Sequence, residues 1–265
     1  GFSYWVKGVL SDYQATITKY AGNDAGFYSQ SDGDGKYYVG QKIGEIWGYH
    51  SNGLFQSDDE AATIDQSELY AGKWGAGDVK YEDLDGDGKI TKGEETIYNP
   101  GDKSIIGNKT PRYQFGITVG FDYKNFDFEM FWQGTGKRDY MLSGAQFWGF
   151  TSQWDVPYTP ALDYWTETNT DAYFPRPGWQ NGGNRVTSDR YLQSAAYGRL
   201  KNLTVGYTIP KNLTTKWGIS RLRLYVTGEN LLTITPLNDA FDPETLGGLT
   251  YPINRKVAIG LNLTL

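Results

Sequence analysis

The feature that most constrains the fold is a strict alternation of apolar with small or polar residues, sustained over long runs. In YQFGITVGFDY, residues 113–123, Tyr113, Phe115, Ile117, Val119, Phe121 and Tyr123 are apolar or aromatic, whereas Gln114, Gly116, Thr118, Gly120 and Asp122 are small or polar. A period of two puts alternate side chains on opposite faces of a β-strand, so this strand has one dry face and one wet face. After Lys124-Asn125 the pattern restarts with Phe126, Phe128, Met130 and Trp132 on the dry face. It returns with Leu203, Val205, Tyr207 and Ile209, and again with Leu222, Leu224 and Val226. The sequence closes on Val257, Ile259, Leu261, Leu263 and Leu265.

Two all-β architectures satisfy this pattern. A soluble sandwich or barrel would bury the dry face in a core. An antiparallel transmembrane β-barrel of an outer membrane would turn it to lipid. Strand length favours the second, because tilted membrane strands need about 9–11 residues and ordinary globular strands about 5–6. Tyr113, Tyr123, Phe126, Trp132 and Tyr207 are expected near strand ends, as interfacial aromatics are. Connections alternate between short (Lys124-Asn125; PKNLTTKWGIS) and long (residues 135–190 and 233–252), as turns and loops do on opposite sides of such a barrel. If the short turns are periplasmic, both long loops are extracellular, and the segment entering Tyr113 also starts outside.

Composition narrows the function classes. Thirty-four Gly with 21 Tyr, 12 Phe and 9 Trp against 2 Met describe a turn-rich β protein rather than a helical bundle. A net charge of −6 argues against nucleic acid, which needs a basic surface. The lack of Cys removes disulfides, zinc-thiolate sites and thiol nucleophiles together. His50 is the sole histidine, so any Ser-His-Asp chemistry would depend on it. No run of 18 apolar residues is present, so no membrane-crossing helix is expected. The mean hydropathy of −0.57 suits a soluble protein and a barrel alike, since only alternate barrel residues meet lipid. The opening GFSYWVKGVL is already strand-like and has neither Met nor leader, which leads to the expectation of a segment of a longer chain.

One motif carries specific chemistry. DLDGDGKITKGE, residues 83–94, matches the twelve-residue calcium loop of an EF-hand. Asp83, Asp85 and Asp87 offer carboxylates, Gly88 permits the sharp turn, Lys89 offers its carbonyl, Thr91 holds the often water-mediated ninth position, and Glu94 can bind bidentately. Ile90 would anchor the loop through a small bridge or an apolar contact. A calcium sensor needs a helix on each side, and the Gly-rich upstream flank and Pro-broken downstream flank supply none. The nearest expected helix is SDDEAATIDQSELY, with a Ser57/Glu60 capping box. Bound Ca2+ would therefore be structural, fastening a long loop. QSDGDGK, residues 30–36, lacks carboxylates at both ends of the frame and reads as a polar turn.

The order of motifs makes a resemblance specific. GQKIGEIWGYHSNGLFQSDDEA, GAGDVKYEDLDGDGKI, IIGNKTPRYQFGITVGFDYKNFDFEMFWQG, YWTETNTDAYFPRP, YGRLKNLTVGYTIPKNL and ISRLRLYVTGENLLTIT follow one another over nearly the whole chain. Together they resemble the C-terminal part of the SusC/RagA family of TonB-dependent outer-membrane transporters. The resemblance implies that residues 1–265 supply the last part of a barrel of about 22 strands, a class with a plugged lumen. It further implies import energised through TonB, a SusD-like surface lipoprotein as partner, and a glycan or peptide ligand. Plug and TonB box are not among these residues, and the chain ends on Leu265 where such barrels usually end on an aromatic.

Two other classes compete. A secreted calcium-stabilised glycosidase would need a carboxylate pair beside a sugar-binding cleft, and nothing marks out such a pair. A soluble calcium-dependent carbohydrate-binding module would share the aromatics and the calcium but bury its alternating face. The long loop 135–190 contains Trp148, Trp154, Trp165 and Trp179 with Phe147, Phe150 and Tyr158. Trp148 and Trp154 are the candidates for stacking on a ligand. Loop packing or contact with a partner is the plainer role for this cluster.

Overall fold

Each alternating run forms a strand, and those strands belong to one antiparallel sheet. The computed structural model describes residues 1–28, 37–71, 73–178, 180–246, 251 and 253–265. In chain order the strands are β1 (Phe2–Ser11), β2 (Glu45–Tyr49), β3 (Ser51–Leu54), β4 (Val79–Tyr81), β5 (Lys103–Asn108) and β6 (Arg112–Tyr123). They continue with β7 (Phe126–Lys137), β8 (Asp139–Met141), β9 (Leu192–Ser194), β10 (Tyr197–Thr208), β11 (Arg221–Ile234) and β12 (Lys256–Thr264). The α-helices are single turns: α1 (Asp58–Ala61), α2 (Ser67–Tyr70), α3 (Ala145–Trp148) and α4 (Lys211–Thr214). No helix among the described residues is long and apolar enough to cross a membrane.

The chain divides into two units, the first made of Gly1–Tyr13, Pro111–Arg138 and Ser194–Leu265. Its sheet runs β1-β6-β7-β10-β11-β12, with every neighbour antiparallel. Strand lengths of 9 to 14 residues match the expectation for membrane-crossing strands. Register carries the dry face across all six strands. One row reads Tyr4, Phe121, Phe128, Val205, Val226, Ile259, and the next reads Phe2, Tyr123, Phe126, Tyr207, Leu224, Leu261. No described residue of the unit covers these rows: Val205 and Val226, on inner strands, are 43% and 46% exposed. A sandwich core would hold such residues near zero, and the described residues of this unit supply no such core for this face.

The wet face accommodates its bulk locally. A Cβ on Gly120 would come within 2.4 Å of the Trp5 ring, so the glycine leaves room for the indole of its cross-strand partner. The connections are asymmetric. β6–β7 and β10–β11 close at one end of the sheet, the first through Lys124-Asn125 and the second through α4 and a 3-10 turn ending at Trp217. The long excursions after β1, β7 and β11 all leave from the other end. Phe2, Tyr123, Phe126 and Tyr207 gather at the short-turn end, with the Phe126 and Tyr207 rings 4.7 Å apart. Trp132 departs from the expected girdle, because register pairs it with Ile117 in mid-strand.

The second unit, Gln14–Thr110 and Asp139–Gln193, folds on different terms. Its ladders are short, β2 with β5 and β3 with β4, and its core is aromatic. Tyr49, Phe55, Tyr81, Ile90, Phe147 and Tyr191 are all at most 2% exposed. Phe147, Trp148, Phe174 and Tyr191 pack mainly edge to face, with Trp148 and Tyr191 centroids 4.6 Å apart. Buried polar side chains stand in for missing ladders. Gln66 donates to the Val79 carbonyl at 3.0 Å and accepts from the Tyr81 amide at 2.8 Å, so it pairs with β4 as a strand would. Asp78 accepts from Gly75 N, Asn184 Nδ2, Asn181 Nδ2 and Arg176, which satisfies a carboxylate with no exposure.

Two expectations need correction or limits here. The stretch SDDEAATIDQSELY is not one helix but α1 and α2, separated where Asp65 pairs with the residues of the acidic loop. QSDGDGK and Trp179 lie outside the described residues.

Candidate functional site

The acidic loop follows β4 directly and owes its shape to its own aspartates. Asp83 accepts from the amides of Gly86 at 2.6 Å and Gly88 at 2.8 Å, Asp85 from Asp87 N at 3.1 Å, and Asp87 from Lys89 N at 2.8 Å. Gly88, at the sixth position, has φ +83, a conformation that a side chain would strain. The loop is tied down at its centre. Asp65 N donates to Gly88 O at 3.0 Å, Ile90 N donates to Asp65 O at 2.7 Å, and the Ile90 side chain is buried. Of the two anchors expected as alternatives for Ile90, its burial fits the apolar one, while the bridge pairs Asp65 with Lys89.

The structure regroups the acids. Carboxylate oxygens of Asp83, Asp85 and Asp102 lie within 4.8 Å of one another; Asp87 and the exposed Glu94 do not join them. Asp102 reaches the loop because the chain doubles back. Gly93 and Gly101 touch backbone to backbone, and a Cβ on Gly101 would come within 2.4 Å of Gly93 N. Asp102 N then donates to Thr91 O at 3.1 Å. The Asp102 carboxylate, fully buried, accepts from Leu84 N at 2.8 Å and Thr91 N at 2.7 Å. Asp102 lies beyond the twelve-residue frame, after a Pro-Gly break, so the motif gave no signal for it.

Electrostatics separates the two ends of this cluster. Backbone donors, Gly88 first, hold the Asp83 carboxyl below the usual range. Burial pushes the Asp102 carboxyl up despite its two amide donors, and the neighbouring Asp85 and Asp83 charges add to the rise. Three converging carboxylates, one of them buried, form an oxygen-only donor set that suits a hard divalent cation and is costly without one. The residues thus fit calcium, with Asp83, Asp85 and Asp102 as the carboxylate donors and the Lys89 carbonyl and Thr91 hydroxyl nearby in sequence. β4 upstream and turns downstream flank the loop, and neither is a helix that could transmit opening.

The tryptophans split. Trp148 is 8% exposed, and its ring packs edge to face in the aromatic core. Trp154 is 83% exposed. Trp165 is buried against Gly77, where a Cβ would fall 2.5 Å from the indole. His50 accounts for itself within the unit: Nδ1 lies 2.7 Å from Asp189 and Nε2 2.7 Å from Ser104 Oγ.

No family model matches the chain. Among characterised proteins it is 34% identical over 245 residues to TonB-dependent receptor P3 of Formosa agariphila, covering 84% of this chain and 22% of that one. It is 26% identical over 190 residues to TonB-dependent receptor SusC of Bacteroides thetaiotaomicron, covering 69% of this chain and 17% of that one. Among solved structures it superposes on the RagAB peptide importer in its open-open state with a TM-score of 0.69 at 18% identity, covering 100% of this chain and 27% of that one. The chain spans about a quarter or less of the length of the curated relatives it matches.

Proposed function

The chain belongs to the SusC/RagA family of TonB-dependent receptors, a family of transporters rather than enzymes, and from that premise we propose that its six long strands are part of the wall of an outer-membrane import barrel. The observation that carries this reading is the apolar face that runs in register across β1, β6, β7, β10, β11 and β12 and is left uncovered. Open strands at β1 and β12 would pair with further strands of the same parent, because unpaired edges are not tolerated in hydrocarbon. The long connections, all leaving one end of the sheet, are the extracellular side; the two short turns are periplasmic.

The parent would import a glycan or a peptide with a SusD-like surface lipoprotein, energised by TonB. The peptide reading is supported by the likeness to the RagAB peptide importer; the glycan reading rests on the family resemblance of the sequence. Calcium bound by Asp83, Asp85 and Asp102 would fasten the external loop unit, and extracellular calcium suffices even for a site in the range of about 10⁻⁴–10⁻³ M. Washing membranes of the parent's host with carbonate, then extracting with detergent, tests the barrel. Recovery only in detergent, together with a lipoprotein, is the expected result. Release of the parent into the carbonate wash would overturn the proposal.

A further inference from the structure

The short-turn end of the sheet carries charge and apolar surface that the register of the strands does not explain. The β10–β11 connection, PKNLTTKWGIS, contains Lys211 and Lys216 and no Asp or Glu, in a chain whose net charge is −6. It folds as α4 followed by the 3-10 turn ending at Trp217, and it is seated through Thr214. That residue is fully buried, and Ile219 N donates to its carbonyl at 3.1 Å. The rest of the turn faces outward. Leu213 is 43% exposed and Trp217 is 65% exposed, and the indole has no hydrogen-bond or ring partner among the described residues.

The neighbouring hairpin brings a third cation to the same end. Thr208 N donates to Asn125 O at 2.8 Å, which ties the Lys124-Asn125 turn to the start of the β10–β11 connection. Lys124 Nζ lies 5.3 Å from the centroid of the Tyr123 ring, a residue of the uncovered face, so this ammonium stands at the rim of that face. Lys124, Lys211 and Lys216 have no ion-pair partner among the described residues. The other charges of this end sit elsewhere: register puts Asp122, Asp127, Arg221 and Arg223 on the wet face, where Arg223 Nε donates to Asp127 at 2.9 Å. A solvated turn would account for the lysines alone. The bare indole and leucine beside them, at the end that also exposes Tyr123 and Phe126, point to a membrane interface. There an aromatic ring sits at headgroup depth and long cationic side chains reach the phosphates. Unpaired positive charge then selects the sign of the headgroup.

We propose that this end of the sheet is a docking surface for anionic phospholipid of the leaflet on the short-turn side. Leu213 and Trp217 lie at the boundary of headgroup and acyl chain, and Lys124, Lys211 and Lys216 meet the phosphates. This surface meets lipid only if the sheet spans a bilayer, so it rests on the barrel reading above.

The test reconstitutes the intact parent into bilayer discs of phosphatidylcholine that hold a small fraction of acyl-brominated lipid, either phosphatidylglycerol or phosphatidylcholine. Bromine quenches nearby indoles, and the difference between the parent and its Trp217→Phe variant isolates the turn. The same difference for Trp132→Phe, in mid-strand on the uncovered face, reports the barrel itself. Both indoles should be quenched, and Trp217 should show a preference for brominated phosphatidylglycerol. Lys211→Gln and Lys216→Gln should each lower that preference by about fivefold, the weight of one lysine near an anionic surface. Salt at about 1 M should erase it. Lys73→Gln, at an exposed position of the second unit, should leave it unchanged. Quenching of Trp132 but not Trp217 would overturn the docking surface and leave the barrel standing, whereas loss of both would overturn the barrel as well. Equal quenching by the two lipids, or a preference indifferent to both lysines, would overturn the anionic partner. Reversal of the preference by inorganic phosphate would mark a free-anion site instead of a lipid one. Lysine-dependent capture on purified cell-wall sacculi, without lipid preference, would make the cell wall the partner and overturn the lipid.

Discussion

The two units use the same kinds of residue in opposite ways. Among the described residues every buried apolar side chain except Ala195, Leu237 and Leu246 lies in the second unit, and none lies in the six-stranded sheet. The sheet instead places Phe, Tyr, Val, Ile and Leu on an uncovered face, ordered by register alone. The second unit buries its aromatics and spends side-chain hydrogen bonds, at Gln66, Asp78 and Asn184, to hold irregular backbone around them. Hydrophobic burial is favourable when it removes surface from water. A face left uncovered on long strands fits the lipid-facing wall proposed above, whereas a core tied by satisfied polar groups fits folding in water. The contrast is what the proposed membrane wall and water-facing loop unit would each require.

Substitutions that exchange these rules should have the largest effects. Phe147→Ala removes a fully buried ring from the aromatic core and should destabilise the second unit by about 3–5 kcal/mol, read as lost protease resistance of that unit in the detergent-solubilised parent. The sheet should tolerate the same truncation on its outward face far better but reject charge. Val226→Arg, in the middle row of the outward face, should cost about 2–4 kcal/mol when the parent is refolded into bilayers, while Thr227→Arg on the other face should cost little. Equal penalties at 226 and 227 would erase the sidedness on which the membrane reading depends. Chelating calcium should come next. At a hundredfold excess over its dissociation constant a ligand stabilises by about 2.7 kcal/mol, so chelator should loosen the second unit by up to that amount. Asp102→Asn should abolish the calcium dependence, and Glu94→Gln should leave most of it.

The sequence made the sheet legible because period two is a local code: each strand states its own face, and register between neighbours follows once the faces agree. Trp132 shows the limit, since an aromatic near a run's end reads as a girdle residue until pairing with Ile117 fixes its height. The second unit was legible only at its motif and at one helix cap. The twelve-residue frame located Asp83 and Asp85, but the third carboxylate, Asp102, arrives through a close approach of Gly93 and Gly101 that no local spacing encodes. The Ser57 cap was readable for the same local reason as the strands. The break between α1 and α2 was not, because Asp65 leaves helical geometry to pair with a loop more than twenty residues away. Trp148 and Trp154 looked alike in sequence, and only the surrounding chain decides that one is core and the other surface.

The smallest effect sharpens the comparison most. Ser57 Oγ accepts from Glu60 N at 3.1 Å, and the Glu60 carboxylate reaches back to Gln56 N at 2.8 Å, so the first turn of α1 is capped from both directions. Ser57→Ala should cost about 1 kcal/mol, the ordinary value for a cap in water. Hydrogen exchange should quicken at Glu60 and its neighbours, as befits a unit that opens locally. Amides of β7 and β10, paired on both sides within the sheet, should keep their protection unchanged. If protection fell equally in the sheet, the two units would unfold as one, and the different media assigned to them would no longer follow from their separate cores.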